Sequence, residues 1–311
     1  MDLRLLRNFL AICDHGSISR AARELDLGQP ALTRQVALLE AEVGARILDR
    51  STRGVTPTEA GLLLRDRGRR LVDEVDVLAA EIRSRDGEPR GSVGLGLPVS
   101  LVDAFCAPLV ETYAADHPGV LLRVYQGLSN ELESLLSAGT VDVAIVMERR
   151  KAMPNVRMEE LASEPLFLVG PPDGGLDPDV PVDPDVLPDL PLIAYGLPND
   201  LHLRLNARAA RRGRTLRMVA EIHTSRMMLN MVRSGSGYAV MPRSATEGFE
   251  RIADLSLAPL GDMAVVWTLA VSSSRPYSAA IKALEARSRT VVGDRVAAGV
   301  WARRPMAHWI T

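Results

Sequence analysis

Apolar residues in the first stretch of the chain recur three and four apart in three short runs, the period of helices that bury one face. Leu3, Leu6, Phe9, Leu10 and Cys13 form the first run, and His15-Gly16 closes it, glycine being a common helix terminator. Ser17 offers an N-cap to a second helix carrying Ala21, Ala22 and Leu25 on one face, which ends at Asp26-Leu27-Gly28. Gln29-Pro30 opens a third helix with proline in the turn that tolerates it, and Leu32, Val36, Leu39 and Val43 make its stripe up to Gly44. Two helices separated by a few residues that include glycine predict a helix-turn-helix, with an arbitrary helical bundle as the plainer alternative.

Beyond Gly44, two short β-prone pieces, Ile47-Leu48-Asp49-Arg50 and Val55-Thr56-Pro57, flank a polar turn with Gly54, which predicts a hairpin or wing. Thr58 stands where it can cap the next helix, expected to reach about Arg83. In that helix Gly61, Leu64, Gly68, Leu71, Val75, Leu78 and Ile82 alternate three and four apart. The two glycines and the crowd of Arg65, Arg67, Arg69 and Arg70 weaken its first half. The seam of Leu64, Leu71, Val75, Leu78 and Ile82 therefore predicts a two-helix dimer contact and not a long free coiled coil. A polar segment with Gly and Pro, residues 86–92, reads as a hinge.

From there strands alternate with helices: strands at 93–97, 120–125 and 141–147, with helices at 100–115 and 130–138. A second set follows, with strands at 166–169, 192–195, 216–222, 238–241 and 265–272 and helices at 201–212, 225–234 and 277–292. This order implies a largely parallel sheet covered by helices. The Pro/Asp-rich segment 171–191 reads as exposed punctuation, and the last residues, with Trp301 and Trp309, have no assignable role.

The 311 residues are 47% hydrophobic, enough for two or three folding units. No run approaches a membrane span, and the start of the chain enters a patterned helix directly, so a soluble cytoplasmic protein with no membrane partner is expected. Cys13 and Cys106 lie far apart on apolar faces and read as packing residues. His15, His117, His202, His223 and His308 lack metal-ligand spacing, so neither metal nor cofactor is expected. A formal charge of −2 does not announce a nucleic-acid binder. Even the first sixty residues balance eight arginines against eight acids, so any DNA argument rests on where the charges sit. With Lys151 and Lys282 the only lysines, phosphate contacts would fall to arginine and backbone amides.

The start of a recognition helix needs short polar side chains and arginine, because that end enters the major groove. Gln29, Pro30, Ala31, Thr33 and Arg34 occupy it: Gln can pair with adenine, Arg with guanine, and Pro or Ala can touch a thymine methyl. Arg50 and Arg53 in the wing suit phosphate or minor-groove contacts, and Ser17 and Thr56 complete the candidate set. An ordinary solvated surface would also show such residues. The ligand-binding candidates lie further on. Leu97-Pro98-Val99-Ser100, Leu128-Ser129-Asn130 and His223-Thr224-Ser225 each read as a strand end passing into a helix start, where free amides and hydroxyls suit a carboxylate, though each Ser or Thr is equally an ordinary cap.

The run FLAICDHGSISRAARELDLGQPALTRQVALLEAEVGARILDRSTRGVTPTEAG resembles the LysR family of bacterial transcription regulators. Ala21-Ala22, Gln29 to Gln35, Leu39-Glu40 and Thr56-Pro57-Thr58 all stand in family register. The likeness continues through Asp142 to Ile145, Pro165-Leu166 and Gly235 to Pro242, and Gly237 to Ala245 is similar to its nitrogen-assimilation-control branch. The resemblance implies a multi-domain, non-enzymatic regulator. Its parts would be an all-α winged helix-turn-helix over 1–58, a dimerisation helix and hinge over 59–90, and an α/β effector domain over 91–311. That domain would have two lobes like a type 2 periplasmic binding protein, about 91–164 with 261–292 and about 165–260, with strand crossovers near Glu164 and Leu260. The resemblance further implies double-stranded operator DNA, a polar or anionic effector, a homodimer assembling to a tetramer, and RNA polymerase as partners. It places Pro98, Ser100, Ser129, Met147, Asn199, His202 and Thr224 along the cleft. Met147 stands where some aromatic-acid-sensing relatives carry arginine.

Two other classes can be weighed on the residues. A nucleotide-binding α/β enzyme using Gly94-Leu95-Gly96 lacks the third glycine, position 99 being Val, and the chain has no P-loop and no nucleophile elbow. A cytoplasmic solute-binding protein would share the second half and leave the first ninety residues unexplained.

Overall fold

The computed structural model describes residues 1–51, 54–83, 88–147, 153–249, 251–274 and 276–302. Arg53, part of the hinge (86 and 87) and Trp309 lie outside them. The chain divides into two units, Met1–Gly87 and Glu88–Thr311.

The first unit has helices α1 (Leu3–His15), α2 (Ile18–Glu24) and α3 (Gln29–Val43), a hairpin of β1 (Leu48–Ser51) with β2 (Gly54–Pro57), and the long α4 (Glu59–Arg83). Its punctuation follows the sequence. Asp2 caps α1 by accepting from the Arg4 amide at 2.7 Å, and Gly16 ends it at φ 57°, a left-handed conformation glycine adopts freely. Ser17 caps α2, and Thr58 caps α4 by accepting from Gly61 N at 3.0 Å while its own hydroxyl donates to Arg46 O. The amide of Val55 donates to Gly16 O, tying the hairpin to the turn before α2. Leu6, Phe9, Ile12, Ala21, Leu32, Leu39 and Ile47 form the fully buried core.

Helix α4 has two different faces. A Cβ on Gly61 would stand 1.9 Å from the Ile47 carbonyl oxygen, and one on Gly68 2.5 Å from a Leu6 methyl, so both glycines let the helix lie close on its own unit. Val72 is buried there and Leu64 is half-buried against the same core. Leu64 thus serves its own unit in part, whereas Leu71, Val75, Leu78 and Ile82 are exposed.

The second unit holds β3 (Gly91–Pro98), α5 (Ala107–Asp116), β4 (Val120–Gly127), α6 (Ser129–Ser137), β5 (Val143–Met147), β6 (Val156–Gly170), β7 (Pro191–Tyr195), α7 (Asp200–Arg211), β8 (Arg217–Ile222), α8 (Ser225–Arg233), β9 (Tyr238–Pro242), β10 (Ser256–Ser272) and α9 (Ala279–Ala297). The sheet order is β4-β3-β5-β10-β6-β9-β7-β8. The largely parallel expectation holds only toward the edges. Strand β3 runs parallel to β4 and β5, and β7 to β8 and β9, but β10 is antiparallel to β5 and β6, and β6 to β9. The strands expected at 166–169 and 265–272 are only the ends of these long antiparallel partners. Glu159, Glu160 and Glu164 interrupt the apolar pattern of β6 and conceal its length.

Strands β6 and β10 join the two lobes. Their register breaks between Pro259 and Ala264, opposite Pro165 to Phe167. The helix expected from residue 100 starts instead as a turn at Ser100 and Leu101, then a π-helical turn (Val102–Cys106), then α5. Pro108 has no amide hydrogen for the Ala104 carbonyl, which accepts from Arg295 at 3.1 Å. The segment after Pro171 is more than punctuation: Val182 donates to Pro259 O, and Leu187 is buried.

Candidate functional site

In the first unit, Gln29, Pro30, Ala31 and Arg34 are exposed at the start of α3 and Thr33 is half-buried, while Leu32 and Val36 between them are core. Among the described residues Arg34 has no ion-pair partner. The carbonyl of Gln29 accepts from Ser19 Oγ at 3.0 Å, which fixes the amide and leaves its NH2 to donate. Ser19 escaped the sequence reading because only the fold brings it across the turn. Ser17 spends its hydroxyl on the Arg20 amide, so its first role is a cap. Thr56 is exposed on β2 opposite Asp49, and Arg50 lies on β1 opposite Val55.

In the second unit a cleft brings together Pro98, Ser100, Ser129, Met147 and Asn199, five of the expected residues, with Tyr195 and Trp267 among its other walls. Ser100, Ser129, Asn199 and Met147 are all more than nine-tenths buried. The helix start expected at Ser129 is present, but its cap is a different one. Ser129 is the first residue of α6, and the Leu128 amide ahead of it donates to the Glu131 carboxylate at 2.7 Å, so the serine hydroxyl is not used as a cap. Ser100 precedes the π-turn and caps nothing. Asn199 caps α7, accepting from His202 N at 3.0 Å, which leaves its NH2 as a donor.

Two expected residues are not in that cleft lining. His202 is buried beside a small adjoining recess, its ring Nδ1 2.9 Å from the Tyr195 carbonyl. Thr224 is exposed and spends its hydroxyl as the cap of α8, because the Met227 amide needs an acceptor. Sequence reasoning missed Tyr195 and Trp267. The Tyr195 hydroxyl lies 2.8 Å from Ser225 Oγ, which donates to Val99 O, and Trp267 Nε1 donates to Glu164 at 2.7 Å. Glu164 is fully buried and also accepts from the Ser244 amide and hydroxyl. Burial pushes its carboxyl above the ordinary range, against the pull of these three donors.

Burial likewise raises the Cys13 thiol to about 11, which fits a packing role. Among the described residues no group of three His, Cys, Asp or Glu could hold a metal, and no helix is long and apolar enough to cross a membrane.

A winged helix-turn-helix followed by a two-lobed α/β unit with a cleft defines a ligand-responsive DNA-binding regulator. The family described as bacterial regulatory helix-turn-helix protein, lysR family, matches residues 3–62, and the LysR substrate binding domain matches residues 86–292; the chain belongs to the LysR family of transcription regulators. The nitrogen assimilation regulatory protein nac of Klebsiella aerogenes is 32% identical over 249 residues, covering 79% of each chain. The HTH-type transcriptional regulator IlvR of Caulobacter vibrioides is 30% identical over 277 residues, 86% of this chain and 92% of its own. The same fold occurs in full-length CbnR complexed with its target DNA, with a TM-score of 0.70 at 19% identity, over 94% of this chain and all of that one. These relatives are named as transcription regulators, and this chain is a regulator and not an enzyme.

Proposed function

We propose that Gln29, Pro30, Ala31, Thr33 and Arg34 read operator bases, that Ser17, Arg50, Arg53 and Thr56 position the duplex, and that a small effector binds in the cleft of the second unit. The observation that carries the effector reading is the convergence of Ser100, Ser129 and the free Asn199 amide on one concavity. Such donors suit a small polar or anionic ligand, a carboxylate above all. Hydroxyls and the first amides of α6 meet such a group without rearrangement. The exposed stripe Leu71, Val75, Leu78 and Ile82 supports a dimer through α4, and a dimer requires a two-part operator. On this reading the chain is a cytoplasmic protein of three parts, 1–58, 59–90 and 91–311, with lobes at about 91–164 with 261–292 and about 165–260. Tetramers form through the effector domains, and RNA polymerase is a further contact.

Calorimetric titration of candidate carboxylates tests the cleft. A ligand that binds the native protein and is lost in the Ser100→Ala, Ser129→Ala double variant supports it. A ligand that binds both equally removes these serines from the site, and one that binds tightly without altering operator affinity removes the switch, because the two equilibria must be linked.

A further inference from the structure

The final described segment returns to the centre of the second unit and packs behind the cleft. Ala302 exchanges two backbone hydrogen bonds with Ser163 on β6, at 2.8 and 2.9 Å, next to Glu164. This places Trp301, only 3% exposed, between two rings: it stacks on Phe105 at a centroid distance of 6.5 Å and leans on Trp267 at 6.2 Å. Trp267 forms part of the cleft wall, and Phe105 belongs to the π-turn that follows Ser100. The guanidinium of Arg295, near the end of α9, lies 5.4 Å over the Trp301 ring. It also donates to Ala104 O in the π-turn and pairs with Glu247, which follows the turn bearing Ser244. One cation thus holds the Trp301 ring and ties it to chain segments from both lobes.

The geometry points to Trp301 as the positioning residue that sets the Trp267 wall of the cleft, with Arg295 as the clip that holds it there. The indole of Trp267 is pinned at its nitrogen by Glu164 and supported on its ring by Trp301. Packed rings have no slack, so removing the support frees the wall to retreat. This inference rests on the cleft being the effector site only for its consequence, which is that Trp301 helps determine the depth of the ligand space. The placement of the wall is testable without any effector.

The test uses the full-length protein carrying Trp309→Phe, with acrylamide as a small neutral quencher that reports contact with Trp267. Trp301→Phe leaves Trp267 as the sole emitter and keeps an aromatic support; Trp301→Ala leaves it as the sole emitter without one. Quenching of Trp267 well below the melting transition is expected to rise about threefold in Trp301→Ala relative to Trp301→Phe. In the Phe background, Arg295→Met should raise it by a smaller factor and Arg295→Lys should recover part of the difference. A role confined to stability lowers the melting temperature and leaves the quenching of the folded protein unchanged, and that result overturns the assignment. If Trp301→Ala does not fold, Arg295→Met decides the matter by the same measurement. Failure here leaves the serine calorimetry untouched, and failure of the serines leaves the quenching result standing, so the two readings fall separately.

Discussion

At the start of α3 the candidate side chains point into solvent: Gln29, Pro30, Ala31 and Arg34 are exposed, and little in the fold uses them. In the cleft the candidates are buried, and Asn199 also caps a helix. A surface that serves only a partner can be altered without harm to its scaffold, whereas a buried polar group that serves both the fold and a ligand cannot. Substitutions in the first unit should therefore separate binding from stability, and those in the second should mix them.

The sharpest break of that rule within the first unit is α4, where the surface proposed to meet a partner is apolar. Leu78→Asp puts a charge on the exposed stripe, and dimer association, read by sedimentation, should weaken about 100-fold or more, with operator binding lost alongside. Leu64→Ala should lower the melting temperature and leave the dimer largely intact, because Leu64 packs in part on its own core. Undiminished assembly of Leu78→Asp would mean that the stripe faces no partner. Close approach rather than exposure governs the glycines. Gly61→Ala meets a backbone carbonyl and should cost about 3 kcal/mol, while Gly68→Ala meets the end of a leucine that can turn aside and should cost less. Equal melting temperatures for the two would show that α4 shifts freely.

The central contrast is between Arg34 and Asn199. Arg34→Ala should lose about 1–3 kcal/mol in specific DNA binding with an unchanged melt. Asn199→Ala should lose about 1 kcal/mol of stability through the cap and also weaken the effector. A loss of stability in Arg34→Ala, or a clean loss of ligand without destabilisation in Asn199→Ala, would erase the distinction between the two regions.

The same distinction explains what could be read from the chain itself. The first unit was legible almost residue by residue because its caps, its Gly16 and Gly44 stops and its Pro30 start are local signals with local causes. In the second unit the edge strands and helices were legible for the same reason, but the centre was not. The antiparallel pairing of β6 with β10 depends on partners about a hundred residues away, and its buried Glu164 looks in sequence like a surface acid. The cap of α6 comes from Glu131 and not from Ser129, a choice only the backbone geometry makes. Ser100 lines the cleft although the helix start argued for it does not exist. Trp301 gave no signal, because its meaning lies wholly in the rings it meets.

The finest test of the contrast is the pH dependence of Glu164→Gln. Burial raises the carboxyl's folded-state pKa above its ordinary value, with the donors Ser244 and Trp267 opposing. Between the ordinary value near 4.5 and the raised one, the folded protein holds a proton that the unfolded chain releases. Stability from this group is therefore fully present below the ordinary value and declines as pH rises through the window, up to the raised pKa. Glutamine cannot ionise, but its one carbonyl oxygen replaces only one of the two accepting oxygens, so the donors on the other side meet its NH2 and the variant carries an offset in stability that does not vary with pH. In circular-dichroism melts of the two proteins from pH 4 to pH 8, the difference between them should move in the variant's favour as pH rises through the window and then stay constant. Other titrating groups are common to both proteins and cancel in the difference. Melting curves that stay parallel throughout, or a wild type that gains on the variant with rising pH, would show that the three donors outweigh burial and that Glu164 sits at the lobe crossover as a satisfied anion.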